Sequence, residues 1–178
     1  MNASSLSTNL VLVGFMGSGK SSVGRLLATH LGFQFVDTDI LVVKEAGMPI
    51  TEIFERHGEA VFRDMEAQAL QSLLGKQCLV VATGGGIVTR EENIATLHQL
   101  GFTLGLMANE ETIFERVSRN TKRPLLQTPN PRQTIADLLA VRAPLYAKAA
   151  HFQVDTSTKT HAEVAQEILA EAFRRFGE

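Results

Sequence analysis

Residues 14–21 read Gly-Phe-Met-Gly-Ser-Gly-Lys-Ser, the Gly-x-x-x-x-Gly-Lys-Ser pattern of a phosphate-binding loop. An apolar run, Leu10–Val13, precedes the loop and a pattern with helical spacing follows it, as this motif requires. The three glycines allow a tight turn that faces phosphate oxygens with backbone N–H groups. Lys20 adds a positive charge, and Ser21 offers a hydroxyl to Mg²⁺. We therefore predict a site for a nucleoside triphosphate with Mg²⁺. A merely structural glycine-rich turn would need all these features to coincide by chance.

Short apolar runs alternate with longer helical patterns along the chain, which predicts βαβ units around a parallel sheet. Because these runs are almost entirely apolar, helices should cover both faces of the sheet. We expect an α/β, three-layer fold with a five-stranded parallel sheet, in one domain over residues 1–178. The five predicted strands are Leu10 to Val13, Phe33 to Val36, Leu79 to Ala82, Phe102 to Met107 and Phe152 to Val154.

The first helix shows the expected apolar spacing. Val23, Leu26, Leu27 and Leu31 recur at helical intervals, and Gly32 follows where a left-handed cap would end the helix. These four side chains are predicted to pack on the sheet.

Composition excludes several classes of function. With 17 Lys and Arg against 19 Asp and Glu, the net charge of −2 provides no broad attraction to nucleic acid or anionic lipid. No signal peptide and no membrane-spanning run is recognisable, so we expect a cytoplasmic protein with neither nucleic-acid nor membrane partners. We also expect a monomer. Cys78 is expected to be a small buried side chain.

Candidate residues for a second substrate follow the second and third strands. Asp37 and Asp39 lie at the carboxyl end of a strand, where open α/β sheets bind ligands. One acid could hold Mg²⁺ while the other orients or deprotonates a substrate hydroxyl, although Asp39 could instead cap a helix. The glycines at 84–86 fit either close approach to a ligand or a flexible turn. Arg63 and Arg142 lie in helical patterns where a surface ion pair is the usual explanation.

Between residues 121 and 131 we expect a mobile loop. Thr121–Pro131 contains three prolines together with Asn and Thr residues, a composition that opposes regular structure.

Taken together, these segments resemble the shikimate kinase family of phosphate-loop enzymes, over nearly the whole chain. The order and spacing of six motifs carry the resemblance: GFMGSGKSS at 14–22, DTD at 37–39, IFERHGEAVFRDME at 53–66, GGG at 84–86, RPLL at 123–126 and RAPLY at 142–146.

The resemblance implies a P-loop kinase that transfers the γ-phosphoryl group of ATP to the 3-hydroxyl of shikimate, on the route to chorismate and the aromatic amino acids. The catalytic residues would be Asp39, Lys20 and Arg123, with Arg123 in a mobile lid at about 118–131. ATP would be bound by Gly17, Ser18, Gly19, Lys20, Ser21, Ser22, Arg116 and Arg123. Shikimate would be bound by Asp39, Arg63, Gly84, Gly85, Gly86 and Arg142, within and beyond a helical segment at about 38–66. Ser21 and, through water, Asp37 would hold Mg²⁺.

Three further features follow from the resemblance. Glu66 would orient Arg63, and Arg116 would stack on adenine. His161 stands where the family tends to have a proline, next to the adenine.

Two other functions begin from the same loop. A gluconate or nucleotide kinase of this architecture would differ only in its acceptor site. A guanine-nucleotide switch would need an Asn-Lys-x-Asp element, which Asn120-Thr121-Lys122-Arg123 does not provide.

Overall fold

The computed structural model describes residues 6–118 and 128–177. Its strands are β1 (Leu10–Val13), β2 (Gln34–Asp37), β3 (Leu79–Ala82), β4 (Phe102–Met107) and β5 (Phe152–Asp155). Its helices are α1 (Lys20–Leu31), α2 (Thr38–Ala46), α3 (Ile50–Gln71), α4 (Glu91–Leu100), α5 (Glu110–Ser118), α6 (Pro131–Ala149) and α7 (His161–Phe176). A short 3₁₀ turn covers Ile87–Thr89.

The five strands form one parallel sheet in the order β2-β3-β1-β4-β5. Side chains of β1 alternate between two buried clusters: Val11 and Val13 join one, while Leu10 and Leu12 join the other. Helices α4 and α6 contribute to the first cluster, and α1 and α7 contribute to the second. The predicted three-layer arrangement is confirmed, because both sheet faces must be covered when successive residues of a strand are all apolar.

Helix α1 ends at Gly32 as predicted, with φ of 67° and a backbone N–H that donates to the Ala28 carbonyl. The prediction for Leu26 was wrong, since that side chain is 44% exposed. The reason is Gly24, where an added Cβ would lie 2.6 Å from the ring of Phe35. Phe35 packs directly on the helix backbone there, so α1 turns Gly24 and Ala28 toward the sheet instead of Leu26.

Two other expectations need correction. Cys78 is exposed rather than buried, with a φ of 58° in the turn before β3. Pro131 was expected in irregular structure but is the first residue of α6. At this position a backbone N–H would have no partner within the helix, so proline costs no hydrogen bond. The Asn130 side chain caps that helix by accepting from the N–H of Gln133. Residues 119–127, which contain most of the expected lid, lie outside the described part of the chain.

No helix within the described residues is long and apolar enough to cross a membrane.

Candidate active site

The phosphate loop connects β1 to α1 as the motif predicts. Gly14, Gly17 and Gly19 have φ values of 150°, 80° and 94°. An added Cβ at Gly14 would overlap the Leu106 carbonyl and lie 2.8 Å from the Ser18 hydroxyl. The turn therefore requires glycine both for its backbone angles and for space.

Lys20 opens α1 and is only 8% exposed. Its ammonium group donates to the carbonyls of Gly14 at 2.8 Å and Phe15 at 2.9 Å. Ser18 is fully buried, so its hydroxyl does not reach the surface of the loop. Any contribution of Ser18 to nucleotide binding thus falls to its backbone.

The segment Asp37-Thr38-Asp39 lies at the carboxyl end of β2, beside the phosphate loop. Oδ2 of Asp37 accepts from the Ser21 hydroxyl at 3.0 Å, and its Oδ1 accepts from the N–H of Asp39, also at 3.0 Å. The N-cap of α2 is therefore Asp37, and the alternative that placed a cap at Asp39 was wrong. The Asp39 carboxylate lies beside the glycines that follow β3, with its Oδ1 next to Gly84.

Thr38 was not singled out from the sequence, yet it joins these two loops. It is fully buried, and its hydroxyl accepts from the N–H of Gly84 at 3.1 Å. A threonine between two acids carries no sequence signal for such a contact, since the partner is 46 residues away.

Each of the three glycines at 84–86 faces a different part of the site. An added Cβ at Gly84 would overlap Oε1 of Glu66 and lie 2.7 Å from Oδ1 of Asp39. At Gly85 it would lie 3.2 Å from the backbone nitrogen of Met16 in the phosphate loop. At Gly86 it would overlap the guanidinium of Arg63. Close packing, and not turn flexibility alone, therefore accounts for the three glycines.

Arg63 is buried on α3, at 8% exposure, so a surface ion pair does not explain this residue. It forms ion pairs with Glu66, which is almost completely buried, and with Glu59 at 2.9 Å. Burial opposes the charge of Arg63, but the ion pairs outweigh it and raise its pKa above the ordinary value. Burial raises the pKa of Glu66 above its usual range, although the charge of Arg63 acts in the opposite direction. Oε1 of Glu66 has no hydrogen-bond partner among the described residues and points at Gly84.

Arg142 is also buried, at 5% exposure, on α6. Its Nη1 lies 3.5 Å from the Gly85 carbonyl, and its guanidinium carbon lies 5.9 Å from the ring centre of Phe15. Within residues 6–118 and 128–177 no carboxylate forms an ion pair with Arg142. In the described part of the chain, a second arginine thus reaches the same glycine loop without an ion pair of its own, although its charge acts to lower the pKa of Glu66.

Arg116 joins the loop after β5 to the phosphate loop. Its guanidinium donates to the carbonyl of Gly17 at 3.2 Å and to the hydroxyl and carbonyl of Thr156 at 3.1 and 2.7 Å. His161 opens α7, and its ring lies 3.4 Å from where a Cβ on Gly19 would be. Both side chains therefore border the outer end of the phosphate loop, where adenine binding is expected. Arg123 lies outside the described residues.

A separate cavity of about 550 Å³ lies at the opposite edge of the sheet, lined partly by Lys76, His98, His151 and Arg175. Helices α4 and α7 end there, and basic residues complement the partial negative charge of helix C-termini. Burial, together with the charges of His98 and Arg175, lowers the pKa of His151. His98 and Arg175 thus complement the helix ends that they belong to, and the phosphate loop lies at the other edge of the sheet.

Comparison with known proteins agrees with this geometry. A family model described as shikimate kinase matches residues 16–173. A shikimate kinase of Thermodesulfovibrio yellowstonii is 49% identical over 163 residues, which cover 92% of this chain and 94% of the relative.

Two solved structures are also similar. One is a shikimate kinase from Acinetobacter baumannii in complex with shikimate, with a TM-score of 0.91 and 40% identity over 95% of this chain and 94% of the other. The other is a shikimate kinase from Aquifex aeolicus, with a TM-score of 0.81 and 37% identity over 94% of this chain and 96% of the other.

Proposed function

The chain belongs to the shikimate kinase family, and we propose that it transfers the γ-phosphoryl group of ATP to the 3-hydroxyl of shikimate, giving shikimate 3-phosphate and ADP. The observation that supports an acceptor with a carboxylate is Arg142, a buried guanidinium with no ion-pair partner among the described residues. A buried charge without a contacting ion-pair partner is costly, and a ligand carboxylate would supply one. Shikimate has one carboxylate. Gluconate also has a carboxylate, and membership of the shikimate kinase family favours shikimate over it.

Arg63 would provide the second hydrogen-bonding group for that carboxylate. Glu66 and Glu59 hold its guanidinium from two sides, and Gly86 lies against it without a side chain in between. Arginine suits this task, because its planar, permanently charged group binds a carboxylate through paired hydrogen bonds. Glu66 would thus fix the direction of Arg63, while Arg142 remains available to the ligand.

Asp39 would act on the reacting hydroxyl. Its Oδ1 lies beside Gly84, and the hydrogen bond between Asp37 and the Asp39 backbone fixes where its side chain begins. A carboxylate at this place can accept the hydroxyl proton or align the oxygen for attack. Of the two acids in the motif, Asp39 faces the glycine loop and Asp37 faces the phosphate loop.

Mg²⁺ fits the oxygen pair that Ser21 and Asp37 present. Mg²⁺ is commonly held by one or two carboxylates together with waters and substrate phosphates, and it neutralises the charge of the terminal phosphates. We propose that Ser21 binds it directly and that Asp37 does so through water.

The backbone of Gly17 to Ser22 would hold the phosphates, with Lys20 exchanging its present carbonyl partners for phosphate oxygens. By family resemblance, Arg123 would reach the transferred group from the lid, and Arg116 would border the adenine. We expect a monomeric, cytoplasmic enzyme.

An ADP-release assay with a panel of acceptors tests this proposal. We expect turnover with shikimate and only background rates with gluconate or nucleoside monophosphates. Turnover with gluconate and none with shikimate would show that gluconate is the acceptor and that our proposal is wrong. If no acceptor is phosphorylated while nucleotide-dependent binding of a protein is found, the chain acts as a switch.

A further inference from the structure

Tyr146 is the only tyrosine of the chain and is 1% exposed on α6. Its hydroxyl donates a hydrogen bond to the carbonyl of Gly85. Arg142, one helical turn earlier, donates to the same oxygen over 3.5 Å. Two donors from one face of α6 therefore converge on a single carbonyl in the glycine loop.

Gly85 is the glycine that meets the phosphate loop. An added Cβ on it would lie 3.2 Å from the Met16 nitrogen and 3.6 Å from the Gly14 carbonyl. A displacement of Gly85 would thus affect both the glycine loop and the phosphate loop. Through the hydrogen bonds to the Gly85 carbonyl, α6 fixes the position of Gly85.

The direction of this carbonyl also sets the direction of the next N–H group. Within the described residues no peptide bond is cis, and in a trans peptide C=O and N–H point in opposite directions. The Gly85 carbonyl points to Tyr146, so the N–H of Gly86 points away from it. In the described part of the chain no hydrogen bond from that N–H is found, and Gly86 lies against the Arg63 guanidinium.

We infer that Tyr146 is a positioning residue for the acceptor substrate: its hydroxyl holds the Gly85–Gly86 peptide so that the Gly86 N–H is presented to the substrate on the side away from Tyr146. This inference rests on the proposed function. Tyr146 would affect acceptor binding through this peptide and would not need to contact the substrate.

The electrostatic state of Tyr146 agrees with a constant donor. Burial raises the pKa of Tyr146 to about 12, even though the charge of Arg142 acts in the opposite direction. The phenol therefore keeps its proton throughout the neutral range, and the Gly85 carbonyl keeps its donor.

The test is Tyr146→Phe, which removes the hydroxyl and keeps the ring. We expect the KM for shikimate to rise roughly five- to tenfold, as for the loss of one buried hydrogen bond, while the KM for ATP changes less than about twofold. The matched control is Ile135→Val, which trims an equally buried side chain of the same helix. It should lower the Tm and leave both KM values unchanged.

A lower Tm for Tyr146→Phe with an unchanged KM for shikimate would overturn the inference and leave a structural role. Wild-type turnover, measured in the same assay, tests the proposed function separately.

A second measurement needs no variant. Because the chain has one tyrosine and no tryptophan, its tyrosine emission reports Tyr146 alone. We expect shikimate to change this emission saturably in the wild-type protein. Binding of shikimate seen by calorimetry without any change of emission would contradict a link between Tyr146 and the acceptor site.

Discussion

The Ser21 hydroxyl donates a hydrogen bond to Oδ2 of Asp37 over 3.0 Å, which joins the first turn of α1 to the end of β2. The other oxygen of the same carboxylate caps α2. One side chain therefore orders the start of a helix and supports the hydroxyl that we assign to Mg²⁺.

Asp37→Asn should raise the Mg²⁺ concentration needed for half-maximal activity by roughly tenfold, as for other groups that support a metal site. Asparagine is also a good N-cap, so the fold should persist. A Mg²⁺ titration at saturating substrates checks this. Asp64→Asn, on an exposed ion pair with Arg90, is the control and should behave as wild type. An unaltered Mg²⁺ dependence of Asp37→Asn would remove Asp37 from the metal site.

Asp39→Asn should lower kcat by on the order of 10²- to 10⁴-fold, the usual range for losing a general base. ATP affinity should stay nearly intact, since Asp37, which accepts from the Ser21 hydroxyl of the phosphate loop, is unchanged in this variant. Steady-state kinetics with separate nucleotide binding distinguish the two effects. Wild-type kcat in this variant would show that Asp39 does not act on the hydroxyl.

Arg142→Lys keeps the charge but loses the planar pair of donors, so the KM for shikimate should rise at least roughly tenfold. Arg142→Ala should weaken shikimate binding by about 2 to 5 kcal/mol, as for one partner of a buried charge pair. Arg132→Lys on the same helix, where the arginine is exposed and paired with Glu111, is the control. Equal KM values for Arg142→Lys and Arg132→Lys would count against the carboxylate assignment.

Gly84→Ala should abolish most activity, because the new methyl group would displace Glu66 and Asp39, the acid that we propose acts on the reacting hydroxyl. Gly47→Ala is the contrasting variant: Gly47 has a φ of 66° and open space around it, so alanine should cost about 1 kcal/mol of stability without affecting kinetics. Measuring Tm and kcat for both variants separates packing at the site from backbone strain. Full activity of Gly84→Ala would mean that the glycine loop tolerates a side chain.

Alkaline pH should destabilise the protein through Tyr146. Its pKa rises from 10.0 to about 12 on folding, so its contribution is fully present below pH 10 and is lost as the pH rises toward 12. The loss is on the order of 1.4 kcal/mol per pH unit in that window. Denaturant unfolding at several alkaline pH values should show a steeper loss for the wild type than for Tyr146→Phe. Parallel pH profiles would contradict this pKa.

The sequence predicts the strands closely because burial on both sheet faces makes them continuous apolar runs. Predicted and observed bounds differ by at most one residue at each end, as with β2 and β5. The phosphate loop is equally predictable, because its chemistry is contained in eight consecutive residues.

The acceptor site is less predictable, because its contacts join distant segments. Helical spacing does not distinguish a buried Arg142 from a surface one, and nothing local indicates that Thr38 bonds to Gly84 or Tyr146 to Gly85. Leu26 is an apolar residue whose exposure could not be predicted for the same reason. A regular apolar pattern does not reveal that Phe35 packs on Gly24.

The most direct measurement is the structure of the product formed from shikimate and γ-labelled ATP. Our account predicts that the label appears in shikimate phosphate and that proton–phosphorus correlation places the phosphorus on the 3-hydroxyl. A label that stays in ATP or inorganic phosphate, or a phosphorus on another hydroxyl, would contradict it.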